Sequence, residues 1–272
     1  MVILMKKIAR YFLFTVLIII ISANIIIFFT NNATAEAQDV KVPILVYHHI
    51  MDNYDRGNAL INITPDEFLL HLWALKNNGF TTITFNDYYD YASGIRALPE
   101  KPIIISFDDG YLSNYEYGYK MLKDLEMKAT IFVITSTMGA TENVTYPHFS
   151  WEQAREMEKS GVVDIQSHSH SHREMQYLDA LSLQRELRLS KYLIEKNLNK
   201  EVSVFAYPFG SFGGLTQNLA GFAGYKLQCK VGDLGYNTKT SPLNELKRIT
   251  VSGTTTDRGL ITQINANLEL PN

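Results

Sequence analysis

The chain reads as an α/β protein, a distorted (β/α) barrel of seven or eight parallel strands in a single domain. Three observations lead there. From Asp39 onward, short β-rich runs alternate with helical stretches, the pattern of parallel strands joined by crossover helices. The runs number eight, and about that many strands in one domain favours closure into a barrel over an open sheet. No low-complexity linker, repeat or second composition regime interrupts the alternation.

The runs are Val42–Tyr47, Thr81–Phe85, Pro102–Phe107, Ala129–Thr135, Val162–Ser167, Val202–Ala206, Tyr225–Val231 and Leu246–Val251. Between them, Thr64-Pro65-Asp66-Glu67 is a capping box with proline at the first helical position, and Gly79 closes that helix. Ser113 to Leu125 is a weaker helix. Ser150-Trp151-Glu152-Gln153 is a second capping box, stopped at Gly161. Ser182 to Asn197 is an amphipathic helix carrying Leu183, Leu187, Leu189, Tyr192, Leu193 and Ile194.

Composition narrows the class. A chain of 272 residues, 46% hydrophobic and 19% charged, can bury a substantial core as one large domain. A net charge of −3 offers no basic surface for a nucleic acid. The sixteen tyrosines suit a sugar-binding surface, though most should pack in the core. A single cysteine, Cys229, excludes an internal disulfide and any cysteine-built zinc site; it should be a small buried hydrophobe. At the N-terminus, Lys6, Lys7 and Arg10 precede an uncharged, apolar-rich run from Tyr11 to Thr30. Two small-residue cleavage patterns follow, Ala33-Thr34-Ala35 and Ala35-Glu36-Ala37. Residues 1–37 are thus expected to be a signal peptide or an uncleaved membrane anchor, with residues 38–272 working outside the cytoplasm.

Two motifs carry the chemistry. Ser106-Phe107-Asp108-Asp109-Gly110 ends one apolar run with adjacent carboxylates, and Ser167-His168-Ser169-His170-Ser171-His172 ends another with three imidazoles. Carboxylate plus imidazole is the ligand set of a catalytic divalent ion, and a further carboxylate beside it can accept a proton from water. His48-His49 follows the first strand and Tyr207-Pro208-Phe209-Gly210 another, so four polar motifs fall at strand C-terminal ends, where (β/α) barrels keep their chemistry. That convergence is the outline of a metal-assisted hydrolase.

The pairing of SFDDG with His168-Ser169-x-x-His172 resembles the polysaccharide deacetylase family, carbohydrate esterase family 4, over about Val42 to Val251. The resemblance implies that Asp108 is the general base and that Asp109, His168 and His172 hold one divalent ion. That ion is taken as zinc, with nickel, cobalt and iron acceptable to the same ligands. His170 is then spare. Two departures stand out. Ala206 occupies the place where most members carry an arginine, and no histidine follows His172 to serve as the usual late acid. The Tyr47-His48 strand ending and the Ala206-Tyr207-Pro208-Phe209-Gly210 loop resemble the biofilm branch, which acts on poly-β-1,6-N-acetylglucosamine. There the acid histidine lies on the N-terminal strand, which makes His48 the acid and sends His49 to the other face. Tyr207 and Phe209 are expected at the substrate, with a backbone N–H near Tyr207 stabilising the oxyanion. The implied partner is an N-acetylglucosamine polysaccharide, met by a monomer that touches the membrane only through an uncleaved N-terminal segment. The rival readings are a peptidoglycan or chitin-type deacetylase and a non-catalytic cell-surface sugar-binding module.

Overall fold

The computed structural model describes residues 39–52, 59–232 and 234–270. The expectations for residues 1–37 lie outside them. Contacts divide the chain between Asp39 and Val40, and the unit from Val40 onward contains every element that follows.

Each of the eight β-rich runs contains a strand. These are β1 (Ile44–Tyr47), β4 (Thr81–Thr82), β5 (Pro102–Phe107), β6 (Ala129–Val133), β7 (Val163–Ser167), β8 (Val204–Ala206), β9 (Leu227–Cys229) and β10 (Ile249–Thr250). A short parallel pair, β2 (His49–Ile50) with β3 (Asn62–Ile63), was not anticipated. The main sheet runs β10-β1-β5-β6-β7-β8-β9, parallel throughout, with β4 on the start of β5. Its two ends approach each other. Cys229 and Leu246 form a parallel bridge, and Leu246 N–H donates to the Gln228 carbonyl at 2.9 Å. The sheet therefore curls into the expected distorted barrel.

The two-residue period of a strand divides its side chains between two cores. Leu45, Tyr47, Ile103, Ile105, Phe107 and Phe205 pack outward against helices. Ile44, Ile104, Phe132, Val204, Ala206, Leu227, Cys229 and Leu246 pack inside the curl, together with Phe85 and Tyr88. With both faces covered, β5 is buried along its whole length, which is why it reads as an unbroken apolar run.

The two capping boxes start helices as expected. Thr64 caps α1 (Pro65–Asn77), and Ser150 caps α4 (Trp151–Ser160), which ends on left-handed Gly161. The amphipathic helix is α5 (Ala180–Leu198), capped by Asp179. Thr84 caps α2 (Phe85–Ala92); α6 (Gly214–Phe222) and α7 (Asp257–Glu269) complete the set. The segment read as a helix from Ser113 departs from expectation. It is a π-helix over Asn114–Tyr119 that passes into α3 (Lys120–Asp124). Side chains at its start are drawn into tertiary bonds: Ser113 Oγ accepts the Ile50 N–H at 3.1 Å, and Asn114 Nδ2 donates to the His48 carbonyl at 2.7 Å. Such widened turns tend to occur at functional sites. Among the described residues, no helix is long and apolar enough to cross a membrane.

Candidate metal centre and active site

Strand alternation assembles the site. His48 continues the inward-facing series Ile44, Val46; Asp108 continues Ile104, Ser106; His168 continues Asp164, Gln166; Arg248 follows Leu246. All four side chains therefore converge at one end of the curl.

Asp109, His168 and His172 each present a ligand atom, and these atoms lie within 4.8 Å of one another. His172 Nε2 stands 3.4 Å from Asp109 Oδ1, and His168 Nε2 stands 3.6 Å from it. That oxygen is buried and makes no hydrogen bond. A buried carboxylate oxygen without a donor is costly unless a cation satisfies it. His168 Nδ1 donates to the Ala206 carbonyl at 2.8 Å, because a carbonyl only accepts; its Nε2 lone pair is left facing Asp109. A backbone acceptor on the far nitrogen is the usual way a metal-ligating imidazole is oriented. Burial lowers the His172 imidazole to about 4, so it is neutral and able to ligate at pH 7. Two imidazoles, one carboxylate and an open side form a donor set that suits zinc.

Asp108 is not part of this trio. It is 2% exposed and bound in bidentate fashion by Arg248, with Nη1 to Oδ1 at 2.6 Å and Nη2 to Oδ2 at 2.7 Å. Burial alone would raise its carboxyl, but the charge of Arg248 and its two hydrogen bonds outweigh it and hold the group well below the usual carboxylate range. Arg248 itself is 1% exposed. The role left vacant by Ala206 is thus filled from β10's approach, at the opposite end of the sheet order. The sequence signal for it is a guanidinium on the inward face of a strand-like run, between Leu246 and Thr250.

His48 is partly buried, and its Nδ1 is enclosed without a hydrogen-bond partner. Burial lowers its pKa, opposed by the nearby negative charges of Asp108 and Asp109. His49 turns the other way. Its Nδ1 donates to Asn62 Oδ1 at 3.0 Å, and its ring stacks on Tyr146 at 4.1 Å and meets Tyr111 edge-on at 5.0 Å. His170 is also held elsewhere, its Nδ1 2.9 Å from Thr135 Oγ1. Phe209 is 64% exposed, and its ring lies 4.4 Å from that of His172, at the mouth of the site.

Tyr207 requires a correction. It sits one residue past inward-facing Ala206, so alternation sends its ring outward, where it is buried and stacks on Phe212 at 4.5 Å. Its hydroxyl bonds to Gln228, and its backbone N–H donates to the Cys229 carbonyl at 3.0 Å. Neither group is free to meet a substrate.

Comparison with known proteins matches this architecture. The polysaccharide deacetylase family model covers residues 95–228. A Bacillus subtilis (strain 168) protein named "Putative polysaccharide deacetylase YxkH" is 32% identical over 212 residues, 78% of this chain and 72% of its own length. A Staphylococcus epidermidis poly-β-1,6-N-acetyl-D-glucosamine N-deacetylase is 25% identical over 226 residues, 71% of this chain and 78% of that one. Among solved structures, a Streptococcus pyogenes deacetylase, PplD, in complex with acetate, superposes with a TM-score of 0.74 at 27% identity, covering 83% of this chain and 99% of the other. With the carboxylate–imidazole cluster at the strand ends and this degree of likeness along most of its length, the chain belongs to the polysaccharide deacetylase family.

Proposed function

We propose that this deacetylase is metal-dependent and removes N-acetyl groups from an extracellular N-acetylglucosamine polymer, with poly-β-1,6-N-acetylglucosamine as the preferred substrate. The observation that carries the reading is the unpartnered buried Oδ1 of Asp109, faced by the Nε2 atoms of His168 and His172. A divalent ion held by these three residues, zinc in the first instance, supplies Lewis acidity toward the amide carbonyl and toward water. Asp108 accepts the water proton, its orientation fixed by both nitrogens of Arg248. His48, just past the end of β1 next to the Asp108 strand, gives a proton to the departing sugar amine. Pro208 has no N–H and those of Tyr207, Gly210 and Ser211 are engaged, so an oxyanion donor from this loop is the Phe209 amide. The exposed Phe209 ring offers an apolar platform to a sugar ring. The preference for the β-1,6 polymer is supported by the Staphylococcus epidermidis relative and the Tyr47-His48 strand ending. Deacetylation leaves amines that would bind the product to anionic cell surfaces. The N-terminal basic flank and apolar run support export, with residues 38–272 working as a monomeric catalytic domain outside the membrane.

The test is acetate release from poly-β-1,6-N-acetylglucosamine, chitin-type oligomers and peptidoglycan, by metal-stripped and zinc-reloaded protein. The expected result is zinc-dependent release, fastest from the β-1,6 polymer. Faster release from peptidoglycan or chitin overturns the substrate, and full activity after stripping overturns the metal. Zinc binding without acetate from any polymer would make the chain a sugar-binding module.

A further inference from the structure

The loop that carries two of the three metal-ligand candidates does not hold its own shape. Ser169 and His172 both stand in the left-handed region, at φ 72° and 57°, where a side chain is strained. Two elements restrain the loop: past β6, the Thr135 and Ser136 N–H groups donate to the Ser169 and His170 carbonyls at 3.2 and 2.9 Å, and α5 takes up the backbone N–H groups. Glu186 lies on the buried stripe of that helix with Leu183, Leu187, Ser190 and Ile194, and is 4% exposed. Its Oε2 accepts the backbone N–H of His170 at 3.0 Å and of Ser171 at 2.7 Å, and its Oε1 accepts the Ser171 hydroxyl at 2.5 Å. A buried carboxylate thus spends three acceptor positions on the two residues between His168 and His172. Within the loop, only Ser169 Oγ, accepting the His172 N–H at 3.0 Å, reaches the second imidazole's own backbone.

We propose that Glu186 is a positioning residue for the metal centre. By clamping the backbone at 170 and 171 it sets the spacing between His168 and His172, and so the affinity for the ion. The proposal rests on the reading that Asp109, His168 and His172 hold a divalent ion. Outer-shell partners of metal ligands typically contribute about 10- to 100-fold in affinity.

The three bonds make distinct predictions for three variants. Glu186→Gln can keep all of them: its amide oxygen takes both N–H groups, and the Ser171 hydroxyl reverses to accept from the amide nitrogen. Its zinc affinity should stay within about threefold of wild type, well inside the outer-shell range. Glu186→Leu fills the space but leaves two buried N–H groups without an acceptor. It should bind zinc about 10- to 100-fold more weakly. Glu186→Asp keeps the charge but stops one methylene short, and should fall between the two.

Zinc affinity is measured by competition with a chromophoric chelator, alongside the visible spectrum of the cobalt-loaded protein. A purely structural role would lower the melting temperature and leave affinity and spectrum unchanged in whatever fraction is folded. Folded Glu186→Leu with wild-type affinity and an unaltered cobalt spectrum overturns the proposal. If that variant does not fold, unchanged affinity in Glu186→Asp overturns it equally. Wild-type protein that binds neither ion defeats the metal-site reading instead, a result that the variants cannot mimic.

Discussion

The two ends of the barrel use the same rare backbone conformation for opposite purposes. At the base, where helices return to strands, left-handed residues are Gly79, Lys101, Glu126, Gly161, Asn199 and Gly224, each a few positions ahead of a strand. Gly161 and Asn199 are the caps of α4 and α5. At Gly79, Gly161, Asn199 and Gly224 positive φ ends a helix, a task glycine and asparagine perform at little cost; Lys101 and Glu126 are the exceptions. At the rim, the left-handed residues are Asp109, Gly110, Ser169, His172, Phe209, Gly210 and Gly232, all within about five positions past a strand. Four of these are not glycine, and two are metal-ligand candidates. Gly110 has no choice, since a Cβ there would stand 3.0 Å from Val133 Cγ1. The others bear about 1–2 kcal/mol each for a left-handed L-residue, which suggests that their side chains are retained for what they bind. The base is built for folding, and the rim accepts strain to place ligands.

The largest test of that contrast is Asp108→Asn. The amide matches the carboxylate in size but keeps only one of the two Arg248 hydrogen bonds and cannot take up a proton, so turnover should fall by about 10²- to 10⁴-fold, with zinc affinity retained. Near wild-type acetate release would remove Asp108 from the chemistry. Next comes the pair His48 and His49, neighbours sent to opposite faces. His48→Ala should lower amide hydrolysis by about 10²-fold, the low end of general-acid effects, and leave zinc content intact. Esters, whose leaving groups need less protonation, should be affected less. His49→Ala loses the Tyr146 stack and should lower stability more than turnover. The reverse outcome, with His49→Ala inactive and His48→Ala active, would exchange their roles.

A smaller effect concerns pH. Burial lowers the pKa of five of the seven histidines: His48, His49, His71, His148 and His172. The unfolded chain therefore binds more protons than the native one below the ordinary value of 6.5, and stability falls as pH drops from there toward about 4, the value of His172. Glu158, raised by burial, works in the opposite sense but is one group against five. The urea midpoint of metal-stripped protein should drop between pH 7.5 and 5, and zinc should raise the midpoint more at pH 7.5 than at pH 5 and so steepen that drop, because an ion on the imidazoles keeps protons off the native state. A midpoint independent of pH would mean that the imidazoles are not enclosed as described.

Much of this was legible in the chain, for identifiable reasons. Parallel strands buried on both faces read as apolar runs, so all eight were found, and capping boxes marked α1 and α4. The ligand trio sits in two contiguous motifs, and the family resemblance picks it out from them, leaving His170 aside. Arg248 could not, since it meets Asp108 across 140 residues of sequence, a contact that only the curl of the sheet creates. Tyr207 lies at the strand end, as a substrate contact would, but the strand's own alternation after inward-facing Ala206 points its ring outward. Glu186 had a signal that went unused: it stands three residues after Leu183, on the apolar stripe of α5, where an unpartnered carboxylate would not survive.

The finest test sets one left-handed residue from each end against the other. A Cβ built on Gly161 meets nothing within 4 Å, so Gly161→Ala carries only the backbone penalty, about 1–2 kcal/mol. Its melting temperature should fall modestly while kcat and KM on the polymer stay at wild-type values, because a base turn touches no part of the site. Phe209→Gly should behave in the opposite way. Removing the side chain relieves a penalty of the same size, and the ring it deletes is 64% exposed, so little packing is lost. Stability should hold or rise slightly. KM should rise, because the ring beside His172 is gone and the loop carrying the Phe209 amide is freer. If Phe209→Gly proves both more stable and fully active, the strain at that position serves no function and the contrast between the two ends narrows to the metal ligands. If Gly161→Ala instead changes KM, the base and the rim are coupled through β7, and the division of labour drawn between them is wrong.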